Sequence, residues 1–133
     1  MRLPEPQRLR LAIVGDPDIE MPSIAARLDS FAGWLTSGAL VVRFEDLVGP
    51  AGGGERSTQE ATVAAIYRHL SLAVDDTLLE RVCDRLFSSS SPTFRSGSSQ
   101  GWKESFTPEL GSLLAEIVGD RAKPYGYQIS NGA

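Results

Sequence analysis

The chain has 133 residues, a formal net charge of −4, 41% hydrophobic and 23% charged content. That is enough for one domain with its own core and too little for two, and it is ordinary globular composition rather than that of a disordered segment. The net negative charge argues against general nucleic-acid binding.

Taken in chain order, the segment from Gln7 to Gly15 is ambiguous. Leu9, Leu11 and Ile13 alternate as in a strand, while Leu9, Ala12 and Ile13 share a helical face. Gly15-Asp16-Pro17-Asp18 reads as a turn. From Pro22 to about Leu35 the spacing of Ile24, Leu28, Phe31 and Leu35 predicts a helix that Gly38 terminates. Ala39-Leu40-Val41-Val42-Arg43 then reads as a short strand, closed by the charged corner Phe44-Glu45-Asp46-Leu47 and the breaker Ala51-Gly52-Gly53-Gly54. A helix from about Arg56 to Leu70 turns Val63, Ile66, Tyr67 and Leu70 inward, with Ser57 or Thr58 as its cap. Asp75 or Asp76 caps another, to about Phe87, burying Leu78, Leu79, Val82, Cys83 and Leu86. A Ser/Gly-rich loop covers 88–106. Thr107-Pro108-Glu109 opens the last helix, which buries Leu110, Leu113, Leu114 and Ile117 and stops near Gly119; the tail from Asn131 frays. The count predicts a mainly α protein with one short strand near 39–43. One strand cannot satisfy its own backbone groups, so apolar surface beside it should be exposed.

Few residues carry arguable chemistry. Cys83, the one cysteine, excludes an internal disulfide and a thiolate metal cluster, and lies on an apolar stripe as a core residue. No apolar run approaches the eighteen or so residues that span a bilayer, and Arg2 is followed by Pro4 and Pro6 rather than a signal core, so a cytoplasmic location without membrane contact is expected. His69, the one histidine, falls off its helix stripe, which leaves no Ser-His-Asp arrangement, and no spacing suggests a metal site. Glu45 and Asp46 are adjacent and read as helix-start carboxylates, with Arg43 pairing to a carboxylate nearby. The glycines at 52–54 lack a following Lys-Ser/Thr and are not a P-loop. The loop Pro92-Thr93-Phe94-Arg95-Ser96-Gly97-Ser98-Ser99-Gln100-Gly101-Trp102-Lys103 is different. It combines small residues, hydroxyl donors and one guanidinium suited to a forked phosphate contact.

Together, Arg43-Phe44-Glu45-Asp46-Leu47-Val48-Gly49-Pro50 with its glycine run, and Thr93-Phe94-Arg95-Ser96-Gly97 followed by Gly101-Trp102-Lys103-Glu104-Ser105-Phe106, resemble the C-terminal half of the sulfotransferases that use 3′-phosphoadenosine 5′-phosphosulfate. The spacing fits the bacterial branch, and the resemblance runs from about Ile24 to Tyr127. It implies a single partial domain over 1–133, the C-terminal portion of a P-loop-like α/β fold with a parallel sheet. In such proteins an Arg-Lys-Gly motif grips the nucleotide 3′-phosphate; the matching positions are Arg95, Ser96 and Gly97, with serine replacing the lysine. The family's Gly-Asp-Trp-Lys becomes Gln100-Gly101-Trp102-Lys103, without the aspartate. The aromatic residue that contacts adenine in such proteins matches Phe44 here, whose presence a core role would explain equally well. The lysine loop for the 5′-phosphosulfate and the catalytic base belong to the N-terminal half and have no counterpart here. The resemblance therefore implies the phosphosulfate nucleotide as co-substrate of the complete enzyme, no metal, no catalytic residue in this chain, and a hydroxyl or amine acceptor on a small molecule or glycan. It further implies an N-terminal partner chain or self-association to complete the sheet. The competing reading is a non-catalytic remnant or interaction module that keeps the helices.

Overall fold

The computed structural model describes residues 3–88 and 101–129. It is mainly helical, and its contacts group into two compact units, Met1–Ala39 with Lys103–Ala133, and Leu40–Trp102.

In the first unit, α1 (Glu5–Val14) carries Pro6 in its opening turn, where a missing N–H costs nothing, and buries Ile13. The segment whose periodicity left strand and helix open, and for which the resemblance favours a short helix, is a helix. It stops at Gly15, whose φ of +79° and close approach (an added Cβ would lie 2.6 Å from the Ser23 nitrogen and 2.7 Å from the Met21 oxygen) admit only glycine. Asp16 and Met21 then exchange two backbone hydrogen bonds of 2.8 and 2.9 Å, closing the expected turn. Ser23 caps α2 (Ile24–Phe31), its Oγ accepting from the Ala26 N–H at 3.1 Å. The helix expected to reach Leu35 in one piece tightens into a 3-10 segment over Ala32–Thr36. Hydroxyls at Ser30, Thr36 and Ser37 donate to the carbonyls three residues back, and Gly33 lies among them. That combination favours the tighter turn over a continuing α-helix.

Thr107 caps α7 (Pro108–Val118), its Oγ1 accepting from the Leu110 N–H at 3.4 Å with Pro108 at the first helical position. The carboxyl of Glu109 is held below its usual range by the Thr107 side chain and then by its own backbone N–H. A second short helix, α6 (Trp102–Ser105), occupies part of the stretch expected to be loop, and a 3-10 segment follows over Gly119–Tyr125. The helices α1, α2 and α7 pack on one another, with Ile13, Leu110, Val118 and Ala122 buried. Tyr125 donates its hydroxyl to the Leu28 carbonyl at 2.7 Å, and Arg121 meets Asp29 at 3.2 Å, tying the 3-10 segment to α2. The tail expected to fray from Asn131 lies outside the described residues.

The second unit contains α3 (Phe44–Leu47), a 3-10 turn at Pro50–Gly52, α4 (Arg56–His69) and α5 (Asp76–Leu86). Both α3 and α5 pack on α4. Asp75 caps α5, accepting from the Leu78 N–H at 2.7 Å as its sequence suggested. Neither Ser57 nor Thr58 caps α4: its cap position is Glu55, which makes no side-chain capping bond. The amphipathic reading of the two helices holds at their centres, where Val63 and Cys83 are buried, and fails at their ends, where Leu70 and Leu86 are exposed.

The short strand expected near 39–43 is not formed. Among the described residues the only β-type pairing is the Asp16–Met21 bridge. Residues 39–42 pass without helix, turn or bend and make no backbone hydrogen bond there, and Arg43 ends the run in extended geometry with φ −91° and ψ 147°. The local preference for extended backbone survives at Arg43, but a strand exists only by pairing, and among the described residues there is no neighbouring strand. The expected apolar exposure is seen at Leu40 and Val41, which are 39% and 48% accessible.

Candidate functional site

The corner that follows Val42 is built by three local devices. Arg43 forks onto Asp46, Nε to Oδ2 and Nη2 to Oδ1, both at 2.7 Å, a bidentate clasp across the first turn of α3. Gly49 then turns the chain with φ +63°, and its carbonyl accepts from the N–H groups of Gly52 at 3.1 Å and Gly54 at 2.8 Å. Finally Gln59 of α4 reaches under the corner. Only 2% exposed, it donates from Nε2 to the Leu47 carbonyl at 2.8 Å and to the Cys83 carbonyl at 3.3 Å. One amide thereby joins the end of α3 to α5. Its Oε1 is buried without a partner among the described residues. The amide lies against Gly49 so closely that a Cβ there would come within 2.5 Å of Oε1, which is why the turn needs glycine on two counts.

Phe44 stands at the head of this corner and is 52% exposed. It is therefore no core residue. Glu45 and Asp46 occupy the first turn of α3, as helix-start carboxylates rather than a paired-carboxylate site. His69 is exposed in the last turn of α4.

Two cavities flank α4 within this unit. The larger, about 480 Å³, lies between the 40–43 run and the helix, with Leu40, Val41, Arg43 and Asp46 on one side and Ser57, Ala61, Thr62 and Ala65 on the other. The smaller, about 230 Å³, is bordered by Val48, Pro50, Arg56, Cys83, Asp84 and Phe87. At its edge Arg56 bridges α4 and α5, bonding Glu60 at 2.8 Å and Asp84 at 2.7 Å, and these two carboxylates raise the guanidinium's already high pKa. Burial pushes the Cys83 thiol up from its ordinary range, with Arg56 opposing the shift. A raised thiol pKa marks an inert structural cysteine rather than a nucleophile.

Of the site residues read from the sequence, Phe44 is thus placed on an open corner. Arg95, Ser96 and Gly97 lie outside the described residues, and Trp102 opens α6. Sequence reading missed Gln59 as the joint of the unit. The signal was available: position 59 falls four residues before Val63 on the same stripe, a polar side chain where the helix turns inward. No family model, no curated protein and no solved structure matches this chain.

Proposed function

We propose that this chain is the C-terminal part of a sulfotransferase that uses 3′-phosphoadenosine 5′-phosphosulfate. Phe44 receives the adenine, and the 95–97 loop, Arg95, Ser96 and Gly97, takes the 3′-phosphate. The observation that carries the reading is the exposed Phe44 ring at the end of an apolar run that ends extended, held by the Arg43–Asp46 fork. In open α/β sheets, ligands sit beyond the carboxyl ends of strands, and a strand-like run leading into a short helix is the corner such a site needs. The reading carries with it the finer fold, in which residues 39–43 form one strand of a parallel sheet completed elsewhere.

The division of labour follows from charge. Sulfuryl transfer needs cationic and backbone donors at the leaving phosphate together with a positioned base. The residues of this chain supply a purine face and one forked cation, which bind and orient the nucleotide's adenosine end. The chemistry belongs to the complete protein, where the acceptor is a hydroxyl or amine. One forked charge-assisted contact contributes about 1.5–3 kcal/mol, and stacking on one ring about 1–3 kcal/mol. Their sum falls near the roughly 4 kcal/mol of millimolar binding and well short of the roughly 8 kcal/mol of micromolar binding.

A second reading, an interaction module that keeps the helices without the activity, is favoured by the backbone at 39–42, which is unpaired among the described residues. Turnover separates them from a self-sufficient enzyme: the purified chain, given the phosphosulfate nucleotide and a panel of phenols, alcohols and amines, should transfer no sulfate. Binding separates them from each other. In an NMR titration with adenosine 3′,5′-bisphosphate, shifts should gather at residues 95–99 and near Phe44, and Arg95→Ala should remove them. Shifts absent from both places, or unchanged in the variant, leave the interaction module standing and the nucleotide site refuted.

A further inference from the structure

Gln59 leaves one group unsatisfied. Its Nε2 is spent on the Leu47 and Cys83 carbonyls, while Oε1 is the one buried side-chain polar atom among the described residues with no hydrogen-bond partner. Buried polar groups in folded proteins are nearly all paired, so an orphan in a cavity wall marks a place for a donor. The oxygen lies hard against Gly49, whose two neighbours Val48 and Pro50 both border the cavity of about 230 Å³ that Gln59 itself lines. Val48, Gln59 and Cys83 form the buried side of this cavity, and the exposed Pro50 and Asp84 lie at its rim. A lone water is a poor occupant, because it needs two to four polar partners and Oε1 is the one buried side-chain atom left vacant.

We propose that this cavity is a binding site for a small neutral ring compound carrying one N–H donor, which bonds Gln59 Oε1 and packs its apolar edge on Val48 and Phe87. Size, charge and polarity each narrow the class. A dry apolar cavity of about 150 Å³ holds benzene, so about 230 Å³ holds one ring or two fused ones. Arg56 at the edge is engaged by Glu60 and Asp84 at 2.8 and 2.7 Å, so a cation would meet the guanidinium and an anion the two carboxylates. The occupant is neutral. Gln59 offers it an acceptor and no spare donor, since both Nε2 hydrogens are taken. A hydroxyl would bring lone pairs that this amide cannot meet, whereas a ring N–H brings only the donor that is wanted. Bound there, the ligand reinforces the joint that the Gln59 amide makes between the end of α3 and α5, and it stabilises the unit by mass action. The proposal uses only residues of α3, α4, α5 and the turn between them, so it does not rest on the nucleotide reading.

The test is an NMR titration of the full chain with indole and with indene, a ring of the same shape without the N–H, each taken to about 2 mM. Indole should move the Val48 methyl signals and the Gln59 side-chain amide together, with a dissociation constant on the order of 1 mM, as ligands of this size reach. Indene should bind at least about fivefold more weakly, the loss of one net hydrogen bond. In Gln59→Leu the two ligands should bind alike, and the wild-type comparison decides the matter by itself if that variant does not fold. Indole that moves neither group overturns the proposal. So does equal affinity of the two ligands for the wild-type chain, or a preference for indole that survives in a folded Gln59→Leu.

Discussion

Gln59 is the position at which a single substitution should cost the second unit most. The proposed perturbation is Gln59→Glu, which keeps shape and volume and exchanges the Nε2 donor for an oxygen. In the wild-type protein that donor serves two carbonyls, those of Leu47 and Cys83, at 2.8 and 3.3 Å. Each such bond contributes about 1 kcal/mol net, and an orphaned buried acceptor costs about 1–3 kcal/mol. At neutral pH the new group is also an anion facing two carbonyl oxygens in a 2% exposed site, with Arg56 already engaged by Glu60 and Asp84. An uncompensated buried charge alone costs about 3–5 kcal/mol. The total is therefore at least about 4 kcal/mol, comparable to the whole stability of a small unit. The sign with pH is fixed. Burial raises the folded-state pKa of this carboxyl above its unfolded value of about 4.3, so the folded state holds the proton longer and stability falls as pH rises through that range. When protonated, the group regains one donor. Urea denaturation followed by helical circular dichroism, at pH 4.5 and 7.5, measures both effects. Gln59→Leu provides the neutral comparison: it orphans the same carbonyls but also removes the unpartnered Oε1, so it should cost about 1–2 kcal/mol with no pH dependence. A Gln59→Glu variant as stable as wild type at pH 7.5, or one more stable at pH 7.5 than at pH 4.5, would refute the joint.

Other perturbations probe separate parts of the account. Gly49→Ala meets both a φ of +63° and the Gln59 amide at 2.5 Å, and should destabilise by more than about 2 kcal/mol in the same urea assay, whereas Gly38→Ala, open to solvent, should cost only its backbone strain of about 1 kcal/mol. Asp75→Ala removes the 2.7 Å cap of α5 and should cost about 1 kcal/mol, read as a lower urea midpoint at unchanged slope. Cys83, 3% exposed with its thiol pKa raised by burial, should react with a thiol reagent far more slowly than unfolded chain at pH 8; because the folded state keeps its proton longer, stability should also decline as pH climbs past the ordinary thiol value of 9.0.

The parts of the fold that the sequence announced were those fixed within a few residues. Thr107-Pro108 and Asp75 cap their helices because a hydroxyl or carboxylate three residues ahead of an N–H needs no distant partner. Arg43 finding Asp46 is equally local. What failed depended on something further away. The 39–43 run carries strand-forming residues, yet pairing is a property of two segments and only one is present among the described residues. Ser57 and Thr58 looked like caps, but the cap position falls at Glu55, two residues before Ser57, which leaves both inside α4 with their side chains beside the larger cavity, and Arg56 bridges to Asp84 twenty-eight residues on. Gln59 was hidden for the same reason: its partners lie twelve and twenty-four residues away. Of the candidate site, the Phe44 corner was legible as a corner, while the exposure of its ring, which separates a stacking face from a core residue, is a tertiary fact.

The central claim is that Phe44 and the Arg95 loop together recognise a 3′-phosphorylated adenosine. It is tested most directly by comparing two ligands on the intact chain, adenosine 3′,5′-bisphosphate and adenosine 5′-monophosphate, with NMR shifts read at the Phe44 ring and the Arg95 amide. The bisphosphate should move both signals with a millimolar dissociation constant, and the monophosphate should move Phe44 alone, more weakly by the tenfold or more that a forked charge contact of about 1.5–3 kcal/mol supplies. Equal binding of the two ligands, or a bisphosphate response that bypasses Phe44, would contradict the account.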